Sequence, residues 1–218
     1  GEYTAQQAYR AFNAQLLAEE TPADDEIVLT SGKSYSNVFH ANGGSASFSV
    51  MANTLRGVYG TDVLLATANS FTGSVLRADY NKKMAASMIM PNGLMSRQRT
   101  MTGAELKETV RAFVEGCEGG FVPFNRGSLP VVSGIAVEVK EASGSYTLTG
   151  ITRNGQPLRD DDTVTVTCLA AEKQMEALLA SESGTPLDGD TWVKNRWRDH
   201  VSGGGAALAE PENYMTLR

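Results

Sequence analysis

The side chains able to do covalent or metal chemistry are few in this sequence, and they are scattered. There are two histidines, His40 and His200, and two cysteines, Cys117 and Cys168. A zinc site or a Ser-His-Asp triad needs imidazoles beside partner residues, and no HxxxH, DxH or GNHD spacing occurs. The cysteines stand far apart with no metal-ligand spacing, so two buried free thiols are favoured over a pair, which an oxidising compartment would still permit. What remains is recognition chemistry, carried by arginines and aromatics. Arg97 and Arg99 alternate with Gln98 on an extended run and so point to one face, where solvated charges would guard a sheet edge. Arg77 has Asp79 and Asp62 as candidate ion-pair partners.

The elements that must position these residues follow from periodicity. Residues 3 to 19 carry Ala5, Ala8, Tyr9, Phe12, Leu16 and Leu17 at helical spacing, an amphipathic lead-in helix whose apolar face needs a partner. Glu26 to Thr30 is a short strand, and Phe48, Met51, Ala52, Leu55 and Tyr59 line one face of a helix ending at Gly60. The run DVLLATA, residues 62 to 68, is continuously apolar and short, as a fully buried strand is. A short Met-rich helix or turn spans Met84 to Met90, and Pro91-Asn92-Gly93 is a turn. Leu94 to Met101 is extended until Thr102-Gly103-Ala104-Glu105 opens a helix as a capping box. Three β-rich runs follow at 131–139, 146–153 and 163–167, with Arg153-Asn154-Gly155-Gln156 as a tight turn. Helices at 172–179 and 191–201 precede a short extended run at 214–217, and Trp192 and Trp197 on the second of these helices are packing residues. Strands joined by turns and interspersed with helices predict an α+β domain with a mixed sheet and flanking helices.

Composition sets limits on partners. With 218 residues, 41% hydrophobic and 20% charged, the chain can bury a full core. A net charge of -6 disfavours a nucleic-acid backbone as partner, since that binding needs a basic face. No run approaches the ~18 consecutive apolar residues of a membrane-spanning helix. A start at Gly1 directly on a helical pattern is expected of a piece of a longer protein.

The order of these elements resembles something specific. A helix runs into YGTDVLLATANSFTGSVLRAD, followed by a proline turn, a strand and a TGAEL helix. Then come LPVVSGIAVEV, ITRNGQPLRDDDTVTVTCLAA, a tail helix and EPENYMTLR. This series resembles the C-terminal, substrate-binding domain of the 5'-nucleotidase family, which includes UDP-sugar hydrolases and cyclic-nucleotide phosphodiesterases. The resemblance covers residues 26 to 218. Residues 1–25 resemble the connector helix that joins this domain to an N-terminal one. It implies that a divalent metal pair and the chemistry belong to that missing N-terminal metallophosphoesterase domain. No cofactor is then expected in this chain, which would not hydrolyse phosphoesters alone. It also implies an extracellular or cell-envelope location in a bacterium, a nucleotide-like or other polar, anionic small-molecule ligand, and no membrane span.

Carried over residue by residue, the resemblance matches Asn69 and Arg77 to the asparagine and arginine of the family's Asn…Gly-Gly-Ile-Arg segment. The glycine pair between them is replaced here. Asn92 stands where the family has the phenylalanine of Pro-Phe-Gly-Asn, and 167–173 lacks the family's second aromatic. Losing both stacking platforms would forfeit about 2–6 kcal/mol of purine binding, since base–aromatic stacking is worth ~1–3 kcal/mol per base. Either the pocket is retuned, with Phe71, Phe121 or Phe124 reaching in beside Asn69, Arg77 and Asn92, or it is dead. In the second case the domain is a scaffold or interaction module of a cell-envelope protein. The retuned pocket is the expectation, with Arg77 as its anchor.

Overall fold

The run DVLLATA is indeed central. The computed structural model describes residues 25–89, 94–115, 129–171, 185–186, 191–204 and 206–218. Strand β4 (Val63–Thr67) is buried along its whole length. It pairs in parallel with β11 (Thr163–Ala171) and antiparallel with β7 (Pro130–Ser133). Beyond β11 lies β6 (Leu94–Thr102), antiparallel over nine residue pairs, and β6 is flanked in turn by β12 (Thr185–Pro186) and β13 (Thr191–Trp192). Apolar residues on both faces of β4 agree with a strand covered above and below.

Arg97 and Arg99 therefore do not guard an edge. Strand β6 has neighbours on both sides, both arginines are half-buried, and each already has an interaction partner. Paired register sets Arg97 opposite Cys168 and Arg99 opposite Val166. Cys168 is a free, buried thiol whose ionisation burial pushes up to about 12, against a smaller downward pull from the Arg99 guanidinium. It is a small core residue, not a nucleophile.

A second, four-stranded sheet runs β10 (Gln156–Pro157), β9 (Ser145–Arg153), β8 (Ala136–Ala142) and β14 (Met215–Leu217). Helix α3 (Gly103–Glu115) packs between this sheet and β6. Its N-terminus is the expected capping box: Thr102 Oγ1 accepts from Glu105 N at 3.2 Å while Glu105 Oε2 accepts from Thr102 N at 2.7 Å. The single run expected over 131–139 is two strands, because the chain turns at Gly134 with φ +82°. Any Cβ there would lie 2.1 Å from the Asp62 carbonyl oxygen, so the turn accepts only glycine.

Helix α1 (Ala46–Tyr59) begins at N-cap Ser45 and ends at Gly60, which is left-handed as the sequence led one to expect. It is not amphipathic in the ordinary sense, for Ser47, Ser49, Asn53 and Thr54 are buried with its apolar residues. For the last three the reason is the C-terminal segment, which crosses the polar stripe and uses it. Ser49 Oγ accepts from Glu212 N at 2.8 Å, Asn53 Nδ2 donates to the Glu210 carbonyl at 2.8 Å, and Thr54 Oγ1 accepts from Ala209 N at 2.9 Å. The Tyr214 ring then lies so close over Gly44, at φ +78°, that a Cβ would come within 2.2 Å of it.

Three smaller pieces complete the described fold. Strands β1 (Ile27–Ser31) and β5 (Ala78–Asn81) form an antiparallel pair, and β2 (Phe39–His40) and β3 (Gly44–Ser45) form another. Helix α2 (Lys82–Ala86) packs against α4 (Val193–Ser202), whose buried stripe is Val193, Trp197 and Val201. Trp197 is fully buried, whereas Trp192 is 49% exposed and does not pack as expected. The architecture is α+β, with mixed sheets and flanking helices. The helices expected at 3–19 and 172–179 lie outside the described residues.

Candidate functional site

The loop leaving the C-terminal end of β4 carries the described part of the expected site. The chain turns there through a single 3₁₀ turn, Ala68–Ser70, fixed by Ala68 N donating to the Leu129 carbonyl at 2.9 Å. Asn69 is exposed, and its side chain makes no hydrogen bond among the described residues. Ser70 is buried, and its hydroxyl has no hydrogen-bond partner among the described residues. Phe71, expected to reach a ligand, is a core residue instead. It is 5% exposed, bridges Ile89 through the backbone, and its ring stacks on Phe48 at 6.0 Å between centroids. A ring packed this way has no face to offer a ligand.

The rest of the loop is tied down at close intervals. Ser47 Oγ donates to the Gly73 carbonyl at 2.9 Å and accepts from Val75 N at 3.1 Å. Tyr35 N donates to the Val75 carbonyl at 2.7 Å, and the Tyr80 hydroxyl both accepts from Leu76 N and donates to its carbonyl. Arg77 N donates to Ser34 Oγ at 2.8 Å. The Arg77 side chain is exposed and has no partner among the described residues. The two acids considered as its counter-ions are engaged elsewhere, Asp79 with Thr30 and Asp62 with Arg153. Backbone held, guanidinium unengaged: the arrangement suits an oxyanion. Asn92, Phe121 and Phe124 lie outside the described residues.

Among the recesses of the described surface are three that include none of Asn69, Phe71 and Arg77. One, of ≈ 430 Å³, runs along β1 against Ala206, Ala207 and Leu208. Another, of ≈ 270 Å³, lies between Lys107 and Arg111 of α3 and the middle of β9. The third, of ≈ 380 Å³, is polar and charged, with Arg56, Asp62, Arg153, Asn154 and Glu212 in its wall. The sequence disclosed Arg153-Asn154-Gly155 only as a turn. The other residues of that wall are scattered along the chain, Arg56 and Glu212 standing 156 residues apart, and no local spacing joins them to the turn.

Asp62 organises that third recess. Its Oδ2 accepts from Thr165 N at 2.9 Å and from Thr165 Oγ1 at 3.1 Å, while Oδ1 accepts from Arg153 at 2.6 Å. Burial pushes its carboxyl up, but the Thr165 bonds and then Arg153 and Arg56 pull it down, and the balance lies below the ordinary carboxylate value. A folded-state value depressed below the unfolded one gives stability that is present above the unfolded pKa and lost as pH falls through the folded one. The melting temperature is therefore expected to fall on acidification from pH 5 to pH 3 more steeply in the native chain than in Asp62→Asn. Equal slopes in the two proteins would contradict this role.

No group of three or more His, Cys, Asp or Glu side chains able to hold a metal exists among the described residues. The donor set described here thus does not fit a metal pair. No helix among them is long and apolar enough to cross a membrane.

Comparison with known family profiles and with curated proteins finds no match. Solved structures do match. A 5'-nucleotidase precursor from Thermus thermophilus aligns over 99% of this chain and 43% of its own, at TM-score 0.68 and 14% identity. The NAD nucleotidase of Haemophilus influenzae aligns over 96% of this chain and 41% of its own, at 0.64 and 17%. The sulfate thiohydrolase SoxB of Thermus thermophilus aligns over 97% and 38%, at 0.69 and 12%. The chain thus spans well under half the length of each. At such identities the likeness is one of fold, and the fold is that of a C-terminal-type domain of the 5'-nucleotidase structures.

Proposed function

We propose that this chain is the substrate-recognition part of a longer metallophosphoesterase of 5'-nucleotidase type, and that it holds a nucleotide-like or other anionic small molecule at the loop after β4. The observation that carries the reading is Arg77, whose backbone is anchored and whose guanidinium is exposed and unpaired among the described residues. Asn69 offers an amide on the same loop. Asn92, Phe121 and Phe124 are the residues proposed to complete the pocket, and Phe71 supports it only from the core. The metal pair and the bond-breaking step are assigned to a domain outside this chain, in a protein of the bacterial cell envelope or exterior.

A second reading has its own support. Phe71 is withdrawn into the core, stacked on Phe48. A scaffold or interaction module with a spent pocket would show this feature. Fold does not separate the two readings, since the same fold occurs in nucleotidases and in a sulfate thiohydrolase.

The test of the division of labour is direct. The isolated chain is expected to turn over neither AMP nor a cyclic nucleotide when supplied with zinc or manganese, because two-metal catalysis needs clustered ligands. Stoichiometric binding of two ions accompanied by turnover would overturn it.

A further inference from the structure

The β4 loop leaves unused the charged recess at the opposite end of the same strand. Arg56, in the last turn of α1, donates from Nε to Ser133 Oγ at 2.8 Å and from Nη1 to the Asp62 carbonyl at 3.4 Å. Arg153, at the end of β9, donates from Nη2 to Asp62 Oδ1 at 2.6 Å. Both guanidiniums are thus steered by one residue, and each keeps most of its N–H donors unspent among the described residues. The recess is a formed feature rather than a gap between mobile side chains. Gly134 lets the β7–β8 turn press against the Asp62 carbonyl, and Asn154 and Gly155, at φ +52° and +75°, make the facing turn. Glu212 completes the wall, its backbone N–H held by Ser49 Oγ at 2.8 Å.

We propose that this recess binds a small hydrophilic carboxylate, received by the guanidiniums of Arg56 and Arg153. A guanidinium presents its donors as a planar fork that matches an oxyanion in two-point contact. The charge balance selects the class of oxyanion. Two cations and two anions, Asp62 and Glu212, line the recess, and the Asp62 carboxylate is already met by three donors. A monoanion can share the arginines with Asp62, whereas a dianionic phosphate would face Asp62 and Glu212 without enough positive charge to offset them. The largely polar wall and a volume of ≈ 380 Å³ fit a small, hydroxylated acid rather than an apolar ligand or a macromolecule.

This site is independent of the β4 loop. Asp62 precedes the five-residue strand and Asn69 follows it, which separates the two by roughly 17 Å at ~3.3 Å per strand residue. Titration of the ¹⁵N-labelled chain with L-lactate, followed by amide shifts, tests it. Lactate is expected to move the amides of Gly134, Asn154 and Gly155 saturably and to leave those of residues 69–77 unmoved. Arg153→Gln is expected to abolish the shifts. Because that change also loosens Asp62, Asn154→Asp supplies a second variant. It adds a negative charge to the wall, Asp tolerates the left-handed backbone, and the Asp62 bonds are untouched. Its lactate affinity is expected to fall about tenfold, the range of one charge-assisted contact. Absence of shifts, shifts indifferent to both variants, or inorganic phosphate binding at lower concentration than lactate would each overturn the proposal.

Discussion

Trp197→Ala is expected to lower the unfolding free energy by about 3–5 kcal/mol, the range for emptying a buried aromatic site. Trp197 is fully buried on α4, and its Nε1 donates to the Ala85 carbonyl at 2.7 Å, joining α4 to the C-terminal end of α2. That carbonyl also accepts from Met88 N at 3.1 Å, so removing the indole does not strand it. The cost is then dominated by the cavity between the helices, and neighbours held by β6 and β13 can collapse into it only in part. Trp192, 49% exposed at the end of β13, is the internal control: its change to alanine should fall within about 0.5 kcal/mol of neutral. Urea unfolding of both variants decides the matter. A loss below about 1 kcal/mol for Trp197→Ala would mean that α4 is not packed as described.

The two tryptophans also show what the sequence discloses and what it hides. Both lie on one predicted helix and both read as packing residues, yet one faces the core and one faces water. Trp192 ends strand β13 with extended backbone as the N-cap residue of α4, so the helical face that buries Trp197 does not include it. Local signals served well where one element decides the outcome alone: the apolar run of β4, the Gly60 stop, the capping box at Thr102. They failed where the partner is remote. Ser49, Asn53 and Thr54 of α1 are buried under residues 209–212, more than 150 positions later, and Ser47 under the loop at 73–75. Phe71 looked like a loop aromatic because its stacking partner, Phe48, belongs to a different element. Arg97 and Arg99 looked like edge residues because the second neighbours of β6, at 185–186 and 191–192, are two-residue strands that carry no strand signal of their own.

The candidate site was read from the resemblance rather than from spacing. Asn69 and Arg77 stand exposed on an anchored loop, and their contact with a ligand is the proposal made above. The paired-acid alternative for Arg77 is not what the structure shows, since Asp62 and Asp79 have other partners. No rule of spacing could have excluded that pairing, because it depends on Arg153 approaching Asp62 from the second sheet.

Arg77→Ala carries the largest functional effect expected of any single change. The side chain makes no described contact, so the variant should melt within a degree or two of the native chain, as exposed substitutions do. A charge-assisted guanidinium contact contributes about 1.5–3 kcal/mol, which is roughly a 10- to 100-fold loss of affinity for a phosphorylated ligand. Adenosine, which lacks the phosphate, should bind weakly to both proteins, because Asn92 cannot stack on a base and Phe71 is packed away in the core. Calorimetric titration of the native chain and of Arg77→Ala with AMP and with adenosine is therefore the most direct test. The account predicts measurable AMP binding that weakens roughly 10- to 100-fold in Arg77→Ala, with adenosine weak throughout. Low-micromolar adenosine binding, or AMP binding indifferent to Arg77→Ala, would contradict it.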